Sequence, residues 1–135
     1  MRADPTEWLL ESDNPSVRYF TLTEMLERPE DDSEVEAAKE AIMSSDPVTR
    51  TLAAQYPEGY WIKRGRGYSP KYRATVWQLM FLTHLGAMRT EAIARACQHV
   101  LEHSCRPDLG LFSAHKYATG TIACLNGNLL RAYLH

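Results

Sequence analysis

The residues best equipped for chemistry crowd into one stretch, Glu58 to Arg73, which reads "EGYWIKRGRGYSPKYR". Lys63, Arg64, Arg66, Lys71 and Arg73 supply cations, Tyr60, Trp61, Tyr68 and Tyr72 supply rings, and no acid follows Glu58 within it. This combination fits an anion site. Arginine forks hold a diphosphate or a nucleic-acid backbone in bidentate pairs, and the rings stack on bases or cover isoprenoid carbons. The competing reading is a connector between two helices, in which Trp61 plugs a gap between layers, Tyr68 and Tyr72 pack the loop, and the cations stay solvated. Gly65-Arg66-Gly67 is not followed by the Gly-Lys-Ser/Thr of a P-loop.

Three other groups invite a chemical reading. "CQHVLEHSC", Cys97 to Cys105, has the spacing of a metal site. On a helix each residue turns by about 100°, so His99 and His103 share one face while Cys97 and Cys105 lie toward the other, with Val100 and Leu101. The four cannot close on one tetrahedral zinc unless the helix breaks, and the expectation is buried small cysteines with surface histidines. His84, at the end of an apolar helix, is expected to be a histidine satisfied by the negative helix end rather than a proton shuttle. "HKYATGT", His115 to Thr121, either lines the mouth of an inner cavity or caps the last helix through Thr119 or Thr121. None of the serines stands in a Gly-x-Ser-x-Gly elbow, so no nucleophile–base order is argued. The candidate ligand-binding set is Trp61, Lys63, Arg64, Arg66, Tyr68, Lys71, Tyr72, Arg73 and His115, with no metal, no cofactor and no assigned catalytic residue.

The elements that must position these groups are helical. Asp4-Pro5, Asn14-Pro15 and Asp46-Pro47 each join a capping side chain to a proline in the first turn, where the missing N–H costs nothing. Helices are predicted near 5–11, 15–27, 33–44, 47–56, 72–85 and 90–104, with a seventh from about 119 to the end. The fifth, "YRATVWQLMFLTHL", is apolar around its whole axis and should be buried on most sides. The third, with Val35, Ala38 and Ile42 among charges, should lie outside. In the sixth, Ile93, Cys97, Val100, Leu101 and Ser104 form the expected inner face. Short extended pieces fit Tyr60–Ile62 or Leu111–Ser113. The class expected is all-α, an array of antiparallel helical pairs.

A chain of 135 residues, 44% hydrophobic and 24% charged, is long enough for one globular domain with a real core. The formal net charge of -2 offers no global attraction to nucleic acid, which makes that partner unlikely on this count. No apolar run approaches the roughly 20 residues of a membrane helix, and the first residues lack the apolar core of a signal peptide. Three cysteines without a Cys-x-x-Cys pair suit a reduced, cytoplasmic chain with buried thiols. The chain ends inside an apolar helical pattern, "CLNGNLLRAYLH", so it reads either as a docked last helix or as the front part of something longer.

An internal echo runs through the second half. "TLAAQYPEGYWIKRGRGYSPKYRATVWQL" and "HVLEHSCRPDLGLFSAHKYATGTIACL" share an order: helix end, polar turn, glycine, an aromatic two residues on (Trp61, Phe112), a basic and tyrosine-bearing loop, then Thr-apolar-x-x-Leu. Gly59 and Gly110 are 51 residues apart, Thr75 and Thr121 are 46. A quasi-period near this length is that of stacked helical pairs. Gln55, Gly59, Trp61 and Thr75 to Leu79 together resemble the repeat of the α/α-toroid families, the squalene and oxidosqualene cyclases and the protein prenyltransferase β-subunits. The resemblance covers about residues 47–135, as one clear and one degraded repeat. Asn14 to Leu26, "NPSVRYFTLTEML", is similar to the first helix of a HEAT-like repeat, placing HEAT-like helices in 1–46.

The resemblance implies a helical-pair arc and, for activity, departs from the enzymes. The cyclases' Asp-x-Asp-Asp cluster is missing, and "EDDSE" (Glu30 to Glu34) sits in a polar helix lead-in. Of the prenyltransferases' zinc ligands, an Asp, a Cys and a His, the last two have counterparts here in roughly suitable territory, Cys124 and His115, but the acid does not: position 120 is glycine. The leading expectation is therefore a non-catalytic binding or scaffold module of the toroid superfamily, taking an anionic or isoprenoid ligand or a partner chain on its inner-helix face and basic-aromatic loop. The alternatives are a fragment of a terpene-cyclase or prenyltransferase-like enzyme acting on an isoprenoid, and a nucleic-acid-binding helical repeat. Self-association or docking to a further helical-repeat domain is the expected kind of assembly, and membrane insertion is not expected.

Overall fold

The computed structural model describes residues 4–134, with only the backbone of Ala118. It is mostly helical: α1 (Thr6–Leu9), α2 (Pro15–Phe20), α3 (Ser33–Ser44), α4 (Asp46–Ala53), α5 (Thr75–His84), α6 (Glu91–Ser104) and α7 (Ala123–Leu134), with one short strand pair, β1 (Cys105–Arg106) and β2 (Leu111–Phe112). The helix starts follow local chemistry. Asn14 accepts a bond from the Val17 N–H at 3.3 Å ahead of Pro15, Asp32 from the Glu34 N–H at 2.9 Å, and Thr90 from the Ile93 N–H at 3.2 Å. Asp46 is itself the first residue of α4 and pairs with Arg50 at 3.3 Å.

The chain divides into two compact units, residues 1–50 with 85–88, and residues 51–84 with 89–135. In the first, α2 packs against α3. Tyr19, Leu22, Val35, Ala38, Ile42 and Val48 form its buried apolar set. Ser16 Oγ donates to the Leu85 carbonyl at 2.7 Å, tying the 85–88 turn into this unit. The helix expected over 15–27 changes character: after Phe20 it widens into a π-turn, Thr21–Met25. The Thr23 hydroxyl donates to the Tyr19 carbonyl at 2.9 Å, competing for a helix acceptor at that point, and Glu27, at φ 51°, ends the segment.

In the second unit α5 packs against both α6 and α7. Thr75, Val76, Leu79, Met80, Leu82 and Thr83 are buried, as an all-round apolar helix requires, and Phe81 marks its open side. The α7 expected from about 119 begins at Ala123 after a 3₁₀ turn, Ala118–Gly120, and His135, included in that expectation, lies outside the described residues. Of the two proposed extended pieces, only the one at Leu111 pairs, with Cys105 opposite Phe112 and Arg106 opposite Leu111.

The turns Tyr56–Gly59 and Arg106–Leu109 each close with a backbone bond between their first and fourth residues, but glycine is the closing residue in the first and follows it, as Gly110, in the second. Gly59 N–H donates to the Tyr56 carbonyl and Tyr56 N–H to the Tyr60 carbonyl, both at 2.9 Å; Leu109 N–H donates to the Arg106 carbonyl at 3.0 Å. Gly59 and Gly110 both take left-handed φ, 87° and 63°. The N–H of the aromatic that follows is then taken by a side chain 14 residues on: Trp61 N–H by Thr75 Oγ1 at 3.2 Å, and Phe112 N–H by Asn126 Oδ1 at 2.7 Å. Asn126 Nδ2 returns a bond to the Phe112 carbonyl at 2.9 Å, so its amide copies a strand partner.

Candidate functional site

The basic and aromatic stretch joins α4 to α5 within the second unit, and its backbone is fastened at many points. The Trp61 indole N–H donates to the Thr51 carbonyl at 2.8 Å. His99 Nε2 lies 3.0 Å from the Gly65 carbonyl oxygen and 3.4 Å from the Gly65 nitrogen; the shorter contact puts the ring proton on Nε2, donating to the carbonyl. The Ser104 hydroxyl donates to the Arg66 carbonyl. The Trp77 indole N–H donates to the Tyr68 carbonyl at 2.7 Å, and the Gln78 amide to the Tyr72 carbonyl at 2.9 Å. Among the described residues this run is therefore held by side chains of α5 and α6, as a loop rich in carbonyls must be if it lies against a core.

The cationic heads are treated differently. The carboxylate ion pairs of the described residues use Arg18, Arg28, Lys39, Arg50, Arg95 and Arg106. Lys63, Arg64, Arg66, Lys71 and Arg73 have no carboxylate within ion-pair distance among the described residues. Lys63, Arg64, Lys71 and Arg73 are exposed. Arg66 is half-buried, and its Nη1 is a buried donor with no hydrogen-bond partner.

Charge is divided along the same boundary as the units. The second unit carries ten Lys/Arg against four Asp/Glu, a formal +6, and the first carries five against thirteen, a formal -8. The chain-wide -2 conceals this division, and with it the sign of the field around the loop. The four acids of the second unit are partly spent already: Glu91 pairs with Arg95, Asp108 with Arg106, and Glu102 accepts from the Gln98 amide at 2.7 Å.

The rings fall into two groups. Tyr68 and Tyr72 pack on Trp77, with centroids 5.2 and 5.0 Å away, and Lys71 Nζ lies 5.1 Å from the Tyr72 ring and 5.8 Å from that of Trp77. Tyr56 stacks on Tyr60 at 4.8 Å, Tyr60 tilts against His99 at 5.3 Å, and His99 stacks on His103 at 4.1 Å. His103 Nδ1 donates to the His99 carbonyl at 3.0 Å, leaving Nε2 to accept from Arg64 Nε at 3.4 Å. Trp61 is apart from both groups, 3% exposed in the core, with its indole N–H already engaged. His115 is exposed next to Tyr117, whose backbone N–H donates to His115 Nδ1 at 3.3 Å.

The inner face of α6 is rotated from the expected one. Ala96, His99, Val100 and Ser104 are buried, while Leu101 is 42% exposed and Cys97 is half-buried. His99 is thus a core histidine rather than a surface one. None of the three cysteines is buried: Cys97 and Cys105 are intermediate and Cys124 is exposed. The reason is the path of the loop, which lands on the His99 side of α6. Among the described residues no three His, Cys, Asp or Glu side chains are grouped to hold a metal ion. His84 Nδ1 lies 2.8 Å from the Met80 carbonyl, the expected satisfied end-of-helix histidine.

Burial lowers the pKa of His99 from the ordinary histidine range; the bond to the Gly65 carbonyl opposes this, while His103 and Arg64 reinforce it. His99 therefore stays neutral in the folded chain where the unfolded chain would take up a proton. Its contribution to stability is complete above about pH 6.5 and declines as pH falls below that. The urea midpoint should drop between pH 7.5 and pH 5.5, and drop less in His99→Gln; equal drops in both would assign the effect to another group.

Sequence reasoning did not find Tyr56, Trp77, Gln78, His99 or Ser104 as parts of this site. The charge division was countable from the sequence, since thirteen of the seventeen acids precede residue 51. Among the described residues no helix is long and apolar enough to cross a membrane. No protein-family model matches the chain, and no curated protein or solved structure matches it.

Proposed function

We propose that this protein is a non-catalytic binding module, built from helical pairs of the α/α-toroid kind, whose ligand is anionic and held by the connector between α4 and α5. The observation that carries the reading is the condition of Lys63, Arg64, Arg66, Lys71 and Arg73. Five cations sit on a loop whose backbone is pinned by α5 and α6, yet none has a carboxylate partner among the described residues. The +6 of the surrounding unit adds a long-range field of the same sign. The side chains 14 residues on that accept from the Trp61 and Phe112 N–H groups, Thr75 and Asn126, support the repeat part of the reading.

The test uses defined anions: tripolyphosphate, pyrophosphate and a hexaglutamate peptide, titrated into the full chain at low salt. At least one should raise the melting temperature by linkage and bind more weakly as salt is added. Changing Lys63, Arg64 and Arg66 together to Ala should weaken that binding by about a hundredfold, roughly 0.9 kcal/mol for each of three solvent-screened ion contacts. Unchanged binding in the triple variant would return the loop to a connector. An isoprenoid diphosphate binding far more tightly than pyrophosphate would instead favour the enzyme-fragment reading.

A further inference from the structure

Within that anion-binding reading, we infer that the ligand is a single-stranded nucleic acid, gripped by its phosphates along Lys63–Arg73 and stacked by its bases on Tyr56 and Tyr72. The inference rests on how the rings are presented. Tyr72 is 68% exposed and Tyr56 is 48% exposed, so each offers ring surface to solvent. Each is also backed by a second ring, Tyr72 by Trp77 at 5.0 Å and Tyr56 by Tyr60 at 4.8 Å. Here one ring of each pair is spent on holding the other in place facing water, which is the arrangement of a stacking platform.

The backbone accepts strain to do this. Tyr72 takes φ 66° and Ile62 takes φ 67°, a left-handed conformation that L residues adopt at a cost. At Ile62 the Lys63 N–H donates to the Trp61 carbonyl at 2.8 Å, closing a γ-turn around a β-branched residue, the strained form of that turn. At Tyr72 the Gln78 amide holds the carbonyl at 2.9 Å. These two residues bracket Lys63, Arg64, Arg66 and Lys71. A simple anion needs only the cations. Exposed, ring-backed tyrosines that flank them along the chain add a requirement that a planar, repeating, phosphate-linked ligand meets and an acidic peptide does not. The chain-wide charge of -2 argued against such a partner, but the local count in this unit is +6.

The test is fluorescence anisotropy of the full chain with a labelled mixed-sequence 12-nucleotide single strand, with a polyphosphate of equal charge and dodecaglutamate as comparisons. The oligonucleotide should bind at least tenfold more tightly than either. Its affinity should fall by roughly two orders of magnitude between 50 and 200 mM salt, given about 0.7 of a counterion released per phosphate contacted. Tyr56→Ala and Tyr72→Ala should each weaken the oligonucleotide roughly tenfold and leave polyphosphate binding unchanged; both positions are exposed, and circular dichroism checks that the variants fold. Equal affinity for polyphosphate and oligonucleotide, or unaltered binding in both tyrosine variants, overturns the nucleic-acid inference and leaves the anion reading standing. Preference for dodecaglutamate makes the partner an acidic protein and overturns it likewise. No binding of any polyanion at 50 mM salt removes both.

Discussion

Trp61→Ala should lower stability by about 3–5 kcal/mol, the range for removing a large buried aromatic, and should do so more than any other single truncation in the connector. Trp61 is 3% exposed, and its two N–H groups are both used: the indole donates to the Thr51 carbonyl at 2.8 Å and the backbone to Thr75 Oγ1 at 3.2 Å. Truncation leaves a cavity beside Thr75, which is fully buried, and strands a carbonyl acceptor at the end of α4. The effect on binding should follow, because the loop that carries the cations is registered from this point. Urea denaturation followed by far-ultraviolet circular dichroism gives the loss directly. Trp8→Ala is the control, since Trp8 is 69% exposed and its removal should change little. A loss below about 1 kcal/mol for Trp61→Ala would mean that the ring does not anchor the connector.

The second large effect is expected at Gly59. The chain there passes directly over α6. A Cβ on residue 59 would stand against the Arg95 carbonyl oxygen, 2.6 Å from its carbon and 3.0 Å from the Ala96 nitrogen. Those are backbone atoms of a helix interior, so they cannot move aside as a flexible side chain would. The φ of 87° adds a conformational penalty of about 1–2 kcal/mol for any L side chain. Gly59→Ala should therefore destabilise by about 3 kcal/mol or more, and should loosen the Gln55 amide, which donates to the Ala92 carbonyl at 2.9 Å nearby in the same helix–turn contact. Gly127→Ala makes the opposite case. It lies within α7 with nothing near its added methyl, and should stabilise by about 0.5–1 kcal/mol through helix propensity. If the two substitutions behaved alike, the close approach of loop and helix would be refuted.

Part of this architecture was legible in the sequence because it is encoded within a single turn of chain. Of the three caps expected from the sequence, Asn14 starts its helix as read, whereas the N-cap position of α1 falls on Pro5, without a side-chain cap bond, and Asp46 is already inside α4; Asp32 and Thr90, not singled out in the sequence, cap α3 and α6 by the same local chemistry. The apolar circumference of α5 announced its burial. The bends at Pro57 and Pro107 are encoded as locally, by a proline and an acid in the two central positions of each turn.

Tertiary structure alone decided which polar groups went inside and which stayed open. The face that α6 buries was set by a loop 34 to 39 residues distant, through Gly65 on His99, Arg66 on Ser104 and Arg64 on His103. Periodicity ranks residues by hydrophobicity and so favoured Leu101 and Cys97, whereas the carbonyl-rich loop required donors and selected His99 beside Ser104, which the expected face already held. The pairing of Tyr72 with Trp77 and of Tyr56 with Tyr60, and the exposure of Lys63, Arg64, Lys71 and Arg73 without acids beside a half-buried Arg66, arose likewise from where the chain had to pass. Capping and periodic burial are short-range free energies that a sequence carries locally. The satisfaction of a loop's backbone is settled only when distant segments meet, and it is that settlement which produced the candidate site.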